Sequence, residues 1–338
     1  MKRLLLLPLV GILVLLASCN HHELCYHHPH TAKVRVNVDW SEFVEEQPTG
    51  MTVMVYPADG GKPYTSLTHT LDYANFNLPE GTYHTLVFNQ SVSEFGSLEF
   101  HQMENYAKAE VVSSTQNSRW YEGRADGGRV VNQPEWIATH REEGTLVTTQ
   151  MVEDMRAEGK YRSGGGSGYV LSSLVPQNIV YTIHIRVYID GIYNLRSARA
   201  AMDGMAEGFR FASAKSSSVA ATYLMEDWKM TVDKSDPTQG YIETDLYCFG
   251  LPDGHGGTAE ENNFLLSVLL VDNKTILEFP FMVGDKFEEL DASIRLNLNL
   301  EVWLTDPLPD VKPEGGSGSG FDATVDDWGE EIEHDIQM

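Results

Sequence analysis

Residues 179–190 read Ile-Val-Tyr-Thr-Ile-His-Ile-Arg-Val-Tyr-Ile-Asp, and Ile179, Tyr181, Ile183, Ile185, Val187 and Ile189 fall on every second position. Successive side chains of a strand point to opposite faces, so this period marks a β-strand with one face in a core. The same pattern returns at Ile294, Leu296, Leu298, Leu300, Val302 and Leu304. Nearer the N-terminus, Val34, Val36, Val38 and Trp40 face one way while Lys33, Arg35, Asn37 and Asp39 face the other. Further strands are expected over 52–56, 67–78 and 81–89, with Pro79-Glu80-Gly81 turning between the last two. Residues 264–271 and 275–281 flank Asp272-Asn273-Lys274 as a hairpin. Helical spacing is confined to 149–158, where Met151, Val152 and Met155 precede a stopping Gly159. Short strands, frequent turns and scarcely any helix predict an all-β fold of antiparallel sandwiches or barrels.

A chain of 338 residues is long enough for two such domains. The flexible run Ser163-Gly164-Gly165-Gly166-Ser167-Gly168 separates two strand-rich halves, which places an N-terminal domain at 33–162 and a C-terminal one at 169–338. A second run, 315–320, precedes a final segment, 321–338, that carries Phe321, Val325, Trp328, Ile332 and Ile336 among seven acids, with no Lys or Arg. Two roles fit this segment. It can close the sheet of its own domain, which its charge favours as a blunted edge, or it can act as a donor strand, since 18 extended residues reach ~60 Å.

Residues 1–18 form an export leader, with Lys2 and Arg3, an apolar run from Leu4 to Leu16, and then Ala17 and Ser18. The run is too short to stay as a spanning helix. Cys19 directly after Leu-Ala-Ser resembles the bacterial lipoprotein signal, which implies lipidation of Cys19 and cleavage before it. Several acyl chains on one residue hold a protein on a membrane where a single chain does not. Asn20 is not the Asp that favours inner-membrane retention in sorting systems of this kind, so an outer-membrane lipoprotein at the cell surface is expected. Residues 19–32 are then a tether. His22, His27 and His28 within it can ligate a transition metal, although a hydrated linker is the favoured reading because no ordered element positions the imidazoles. Cys25 and Cys248 remain after lipidation and can pair in an oxidising envelope compartment.

Lys and Arg number 24 against 49 Asp and Glu, a formal charge of -25. Such a surface repels polyphosphate and anionic lipid, which argues against nucleic-acid binding and leaves the lipid as the only membrane contact. The sequence contains no G-x-S-x-G elbow, P-loop or G-x-G-x-x-G. The run Gly254-His255-Gly256-Gly257 sits in a loop and reads as a turn rather than a phosphate cradle, and the acids Asp253, Glu260 and Glu261 lack the spacing of a Ca²⁺ loop. Neighbouring acids such as Glu142-Glu143, Glu288-Glu289 and Asp326-Asp327 point to opposite faces of a strand, which is the geometry of solvated charge and not of a paired-carboxylate site. No catalysis and no cofactor beyond the covalent lipid are expected. Trp120-Tyr121, Trp136 and Trp228 are candidates for stacking on sugar rings, with core packing as the commoner use.

Several short stretches together resemble a known family. These are Cys19 with Glu23-Leu24-Cys25-Tyr26 and His28-Pro29-His30, Leu195 with Met202-Asp203-Gly204-Met205-Ala206, Phe249-Gly250-Leu251-Pro252, and Phe321 with Val325-Asp326-Asp327-Trp328. They are similar to those of Bacteroidetes lipoproteins that carry a fimbrillin-like domain. The resemblance implies two tandem transthyretin-like, Greek-key antiparallel β-sandwich domains. Fimbrillin-superfamily relatives include shaft, tip and anchoring subunits of pili, and shaft subunits join by passing an extended strand to a neighbour. The implied function is a fimbrial anchor or accessory subunit in pilus assembly and cell adhesion, with other fimbrial subunits as partners. The alternative is a glycan-binding surface lipoprotein of a nutrient-capture system.

Overall fold

The computed structural model of the protein describes residues 30–43, 47–118, 120–121, 128–161, 168–287 and 297–314. The alternating stretch forms β12 (Tyr181–Asp190), whose Ile183, Ile185, Val187 and Ile189 are buried. Strand β18 (Gln239–Cys248) pairs with it antiparallel, from Tyr181 opposite Cys248 to Asp190 opposite Gln239. On the other side β21 (Asn297–Trp303) runs parallel to β12, and β17 (Lys229–Val232) extends the sheet beyond β18, in the order β17-β18-β12-β21. A second sheet contains β20 (Ile276–Met282), β19 (Asn263–Leu270), β13 (Leu195–Ala206), β16 (Ala220–Met225) and β8 (Arg129–Val131), in that order. Side chains of both sheets, among them Ile183, Val187, Met202, Tyr223, Phe264 and Leu300, form one core. The hairpin expected around 272–274 is the β19–β20 connection.

The N-terminal half repeats the two-layer arrangement. Strand β1 (Ala32–Val38) lies between β4 (Tyr73–Leu78), antiparallel, and β10 (Tyr169–Leu174), parallel. The other layer is β11 (Gln177–Asn178), β9 (Ala138–Val147), β5 (Gly81–Asn89), β2 (Met51–Pro57) and β3 (Tyr64–Thr68). Val34, Val36, Trp40, Val53, Val55, Phe76 and Val87 meet between them, and Val152 of helix α1 (Thr149–Tyr161) joins the same core. The fold is an all-β sandwich. Residues 67–78, expected as one strand, divide into β3 and β4 in different layers, with Thr70 N donating to Thr68 Oγ1 (3.0 Å) in the turn between them. Strand pairing also crosses the glycine-rich run. β10 and β11, which follow it, join N-terminal sheets, and β8, which precedes it, joins a C-terminal one, so the C-terminal sheets begin again at Tyr181 rather than at 169.

Strands β2 and β5 are buried on both faces. Met51, Val53, Val55 and Val87 face the N-terminal core, while Met54, Tyr56, Leu86 and Phe88 face a third cluster. That cluster is covered by a sheet of β15 (Lys215–Ser216), β14 (Gly208–Arg210), β7 (Glu110–Ser113) and β6 (Leu98–His101). The covering sheet draws on both halves, since β7 and β14 pair with Val111 opposite Phe209. Ala206, Phe211 and Phe249 add C-terminal side chains to the same cluster. Phe88 stacks 5.2 Å from Phe100 and 6.1 Å from Phe211.

The Met202-Asp203-Gly204-Met205 stretch is a bulge in β13, where the register with β16 shifts. Gly204 has φ +81°, and a Cβ there would lie 2.0 Å from the Glu261 carbonyl oxygen, so only glycine fits. The Asp203 carboxylate secures the bulge by accepting from Gly204 N (2.8 Å) and Thr222 Oγ1 (3.1 Å).

Because Phe211 fills the cluster shared by the halves, Phe211→Ala is expected to cost about 3–5 kcal/mol in chemical denaturation. A loss below about 1 kcal/mol would mean that the join is not a packed core.

Candidate functional site

Two features of the C-terminal sheets offer recognition surfaces, their free edges and the outward face of β17-β18-β12-β21. Among the described residues β21 and β20 each pair on one side only. Unpaired backbone N–H and C=O groups along such an edge are a template for a further strand. β20 carries Pro280, which has no N–H to donate, and its Ile276 and Met282 are exposed. β21 has no proline. After β21 the chain is strapped across the end of the sandwich. Leu308 N donates to the Asp190 carbonyl (2.8 Å), Asn194 Nδ2 to Asp310 Oδ1 (3.0 Å), and Glu314 N to the Val271 carbonyl (3.2 Å). Hydrogen bonds from Tyr193 and Asn194 hold the Asp310 carboxyl below the usual carboxylate range. The strap therefore ends, at Glu314, beside the β19–β20 turn.

The outward face follows from register. Since Ile183, Ile185, Val187 and Ile189 point inward, His184, Arg186, Tyr188 and Asp190 point outward. Pairing sets Thr231, Tyr241, Tyr188 and Trp303 in one row across the four strands, and Lys229, Glu243, Arg186 and Glu301 in the next. The Tyr188 and Trp303 rings stack at 5.0 Å and 10°, and Tyr241 lies 5.9 Å from Tyr188. Arg186 lies 4.3 Å over the Tyr241 ring and donates through Nη2 to Glu243 Oε2 (2.8 Å), while Tyr188 OH donates to Glu301 Oε1 (3.2 Å). His184 is hydrogen-bonded to Asp245 in the row beyond. The face carries a cleft of about 850 Å³ along the charged rows and one of about 400 Å³ beside the aromatic row.

The sequence-predicted residues distribute differently. Trp136 packs edge-on to Phe43 at 5.2 Å against the N-terminal core. Trp228 packs against the C-terminal core and donates to the Met225 carbonyl (3.3 Å). Trp120 donates to Glu226 Oε1 (2.7 Å) beneath the Arg199 guanidinium, 4.5 Å from its ring. Trp136 and Trp228 thus serve different cores, and the aromatic row is built from Tyr188, Tyr241 and Trp303 instead. Their signal was present in the sequence, since Tyr188 and Trp303 occupy the polar positions of the two alternating stretches. The glycine-rich turn is filled by its own side chains. Glu261 accepts from Gly256 N (2.9 Å) and Thr258 N (3.0 Å), which hold its carboxyl below the usual range and occupy the donors a phosphate would need. Asp253 is paired with Arg210 (3.0 Å) and Lys215 (3.1 Å). Among the described residues no three His, Cys, Asp or Glu side chains gather to hold a metal ion. Cys19, Cys25, His22, His27, His28 and the segment with Phe321, Val325, Trp328, Ile332 and Ile336 lie outside the described residues.

The model of a domain of unknown function (DUF5119) matches residues 18–226. Among solved structures, a candidate adhesin from Bacteroides ovatus shares the fold with a TM-score of 0.56 at 14% identity, covering 87% of this chain and 99% of that one. The fimbrial anchor protein Mfa2 from Porphyromonas gingivalis aligns with a TM-score of 0.49 at 10% identity, covering 80% of this chain and 90% of its own. A candidate adhesin from Bacteroides thetaiotaomicron aligns with a TM-score of 0.43 at 10% identity over 75% and 80%. No curated protein sequence matches the chain.

Among the described residues Cys248 has no disulfide partner; it is fully buried in the C-terminal core, and burial pushes the thiol's pKa up to about 12. The native thiol is therefore neutral and shielded through the mildly alkaline range. In a Cys25→Ser background iodoacetamide is expected to label Cys248 at pH 8 only when urea unfolds the protein, which mass spectrometry reads directly. Rapid labelling of the native protein would contradict its burial.

Proposed function

The chain belongs to the family described as a domain of unknown function (DUF5119), and from this membership and its β-sandwich fold we propose that it is a lipid-anchored surface subunit, an anchor or accessory part of a fimbrial fibre. It serves assembly and adhesion and carries out no catalysis. The observation that carries this reading is that, among the described residues, the edge strands β20 and β21 each pair on one side only, with the strap ending at Glu314 by the β19–β20 turn. An open edge accepts a strand through main-chain hydrogen bonds, and pockets for alternate side chains then select the partner. A segment of 18 residues extends to ~60 Å, whereas the seven residues of β21 occupy only ~23 Å, so the segment is long enough to pass from one subunit to the next. The description of the Bacteroides ovatus protein that shares the fold as a candidate adhesin supports the same reading. Lipidation of Cys19, followed by a hydrated tether, would hold such a subunit at the outer membrane while leaving both edges accessible.

Removing residues 321–338 is expected to shift the thermal midpoint by less than about 3 °C and to abolish association between chains, which light scattering follows. A synthetic peptide of those residues should bind the truncated protein. If truncation instead collapses the C-terminal half and the peptide restores it, the segment is its own domain's closing strand and donation from this tail has no basis. The anchor is checked separately. Cys19→Ser should move the protein out of the membrane fraction and end its labelling by palmitate in growing cells, and continued membrane association would rule out Cys19 as the attachment point.

A further inference from the structure

We propose that the outward face of sheet β17-β18-β12-β21 binds a neutral saccharide, stacking a pyranose ring on Trp303 and hydrogen-bonding its hydroxyls through Asp190, Asp233 and Gln239. Trp303 is 56% exposed although it is the largest kind of apolar side chain. It sits on an edge strand with one ring face against Tyr188. Its other face therefore lies toward the free edge. Exposing so much aromatic surface has a hydrophobic cost, and a ligand with an apolar ring face would remove it.

The rings are also held in place. Tyr188 is fixed by Glu301, and Tyr241 by the Arg186 guanidinium, itself anchored on Glu243. A platform that is already ordered loses little side-chain entropy on binding. Beside it, the cleft of about 400 Å³ is lined by Tyr188, Tyr241 and Trp303 together with Asp190, Asp233 and Gln239. This volume lies within the usual range of ligand pockets, roughly 300–1,000 Å³. Carboxylates accept hydrogen bonds from hydroxyl groups, and the Gln239 amide both donates and accepts, so the polar rim suits a polyol.

Charge narrows the class. The rim of this cleft holds two carboxylates and no cationic side chain, on a chain of net charge -25. Arg186, in the neighbouring row, is already paired with Glu243. A sulfated, sialylated or uronic saccharide would meet like charge at close range. The occupant is therefore an uncharged glycan rather than an acidic one. Strand addition would use the backbone edges, whereas this site uses the outward side chains, so each reading can fail without the other.

The test is isothermal titration calorimetry on the chain from Cys19 onward in detergent, with cellohexaose, maltohexaose and mannohexaose as neutral probes and 3′-sialyllactose as the anionic one. At least one neutral hexasaccharide is expected to bind. Trp303→Ala and Gln239→Ala should each weaken it about tenfold, while Leu67→Ala, an exposed residue of β3, should bind as the parent does. The proposal is overturned if none of the neutral probes binds at millimolar concentration, if both variants at the cleft bind as the parent does, or if sialyllactose binds more tightly. It is equally overturned if binding appears only after residues 315–338 are removed, because the chain's own tail would then be the occupant.

Discussion

The join between the two halves depends on two strands that are buried on both faces. Strands β2 and β5 put Val53, Val55 and Val87 into the N-terminal core and Met54, Tyr56, Leu86 and Phe88 into the cluster behind it. A strand buried twice is mostly apolar and hydrogen-bonds the polar side chains it keeps, as Thr52 Oγ1 does to the Gln90 carbonyl (2.7 Å), and whatever covers its second face must bring its own apolar side chains. Phe211, Phe249 and Ala206 supply part of that cover from the C-terminal half. The two halves are thereby joined through hydrophobic burial and through the β7–β14 pairing, not by a linker alone.

The C-terminal sheets show the opposite economy. Sheet β17-β18-β12-β21 is buried on one face only, so its other face displays every second residue in rows fixed by register. A shift of one residue would turn Ile185 outward and Arg186 into the core, which the burial of Ile183, Ile185 and Val187 forbids. The order of the outer face, from the Arg186–Glu243 pair to the Tyr188–Trp303 stack, is in this sense a by-product of the core. Nothing among the described residues pairs with the far side of β21 or β20, and the strap of 304–314 crosses the end of the sandwich rather than its edge.

Much of the strand content was legible because one-sided burial writes itself as a period of two. β1, β12 and β21 all carry it, as does the hairpin of β19 and β20. The strands that gave no such signal have particular reasons. β13 is buried on both sides from Ala200 to Ala206, uses small residues, and is interrupted by the Gly204 bulge, so no alternation survives. Residues 67–78 kept an apolar rhythm through a turn and thus concealed the passage from one layer to the other. The aromatic row was hidden by the same habit of reading, since Tyr188 and Trp303 stand where polar neighbours were expected, and only cross-strand register places them side by side with Tyr241.

The sequence by itself determined that this is an all-β protein, because strand content is written in local periodicity. Only the tertiary structure decided which strand pairs with which. The glycine-rich run at 163–168 marks a flexible connection, but composition carries no information about the destination of the next strand, and β10 returns to β1 while β8 crosses forward to β16. Likewise the chain names its tryptophans without saying which are sheltered. Trp136 and Trp228 are drawn against cores by residues far away in sequence, and Trp303 is left exposed because its strand ends the sheet. Burial is a property of what lies opposite, and what lies opposite is fixed by long-range pairing rather than by neighbours along the chain.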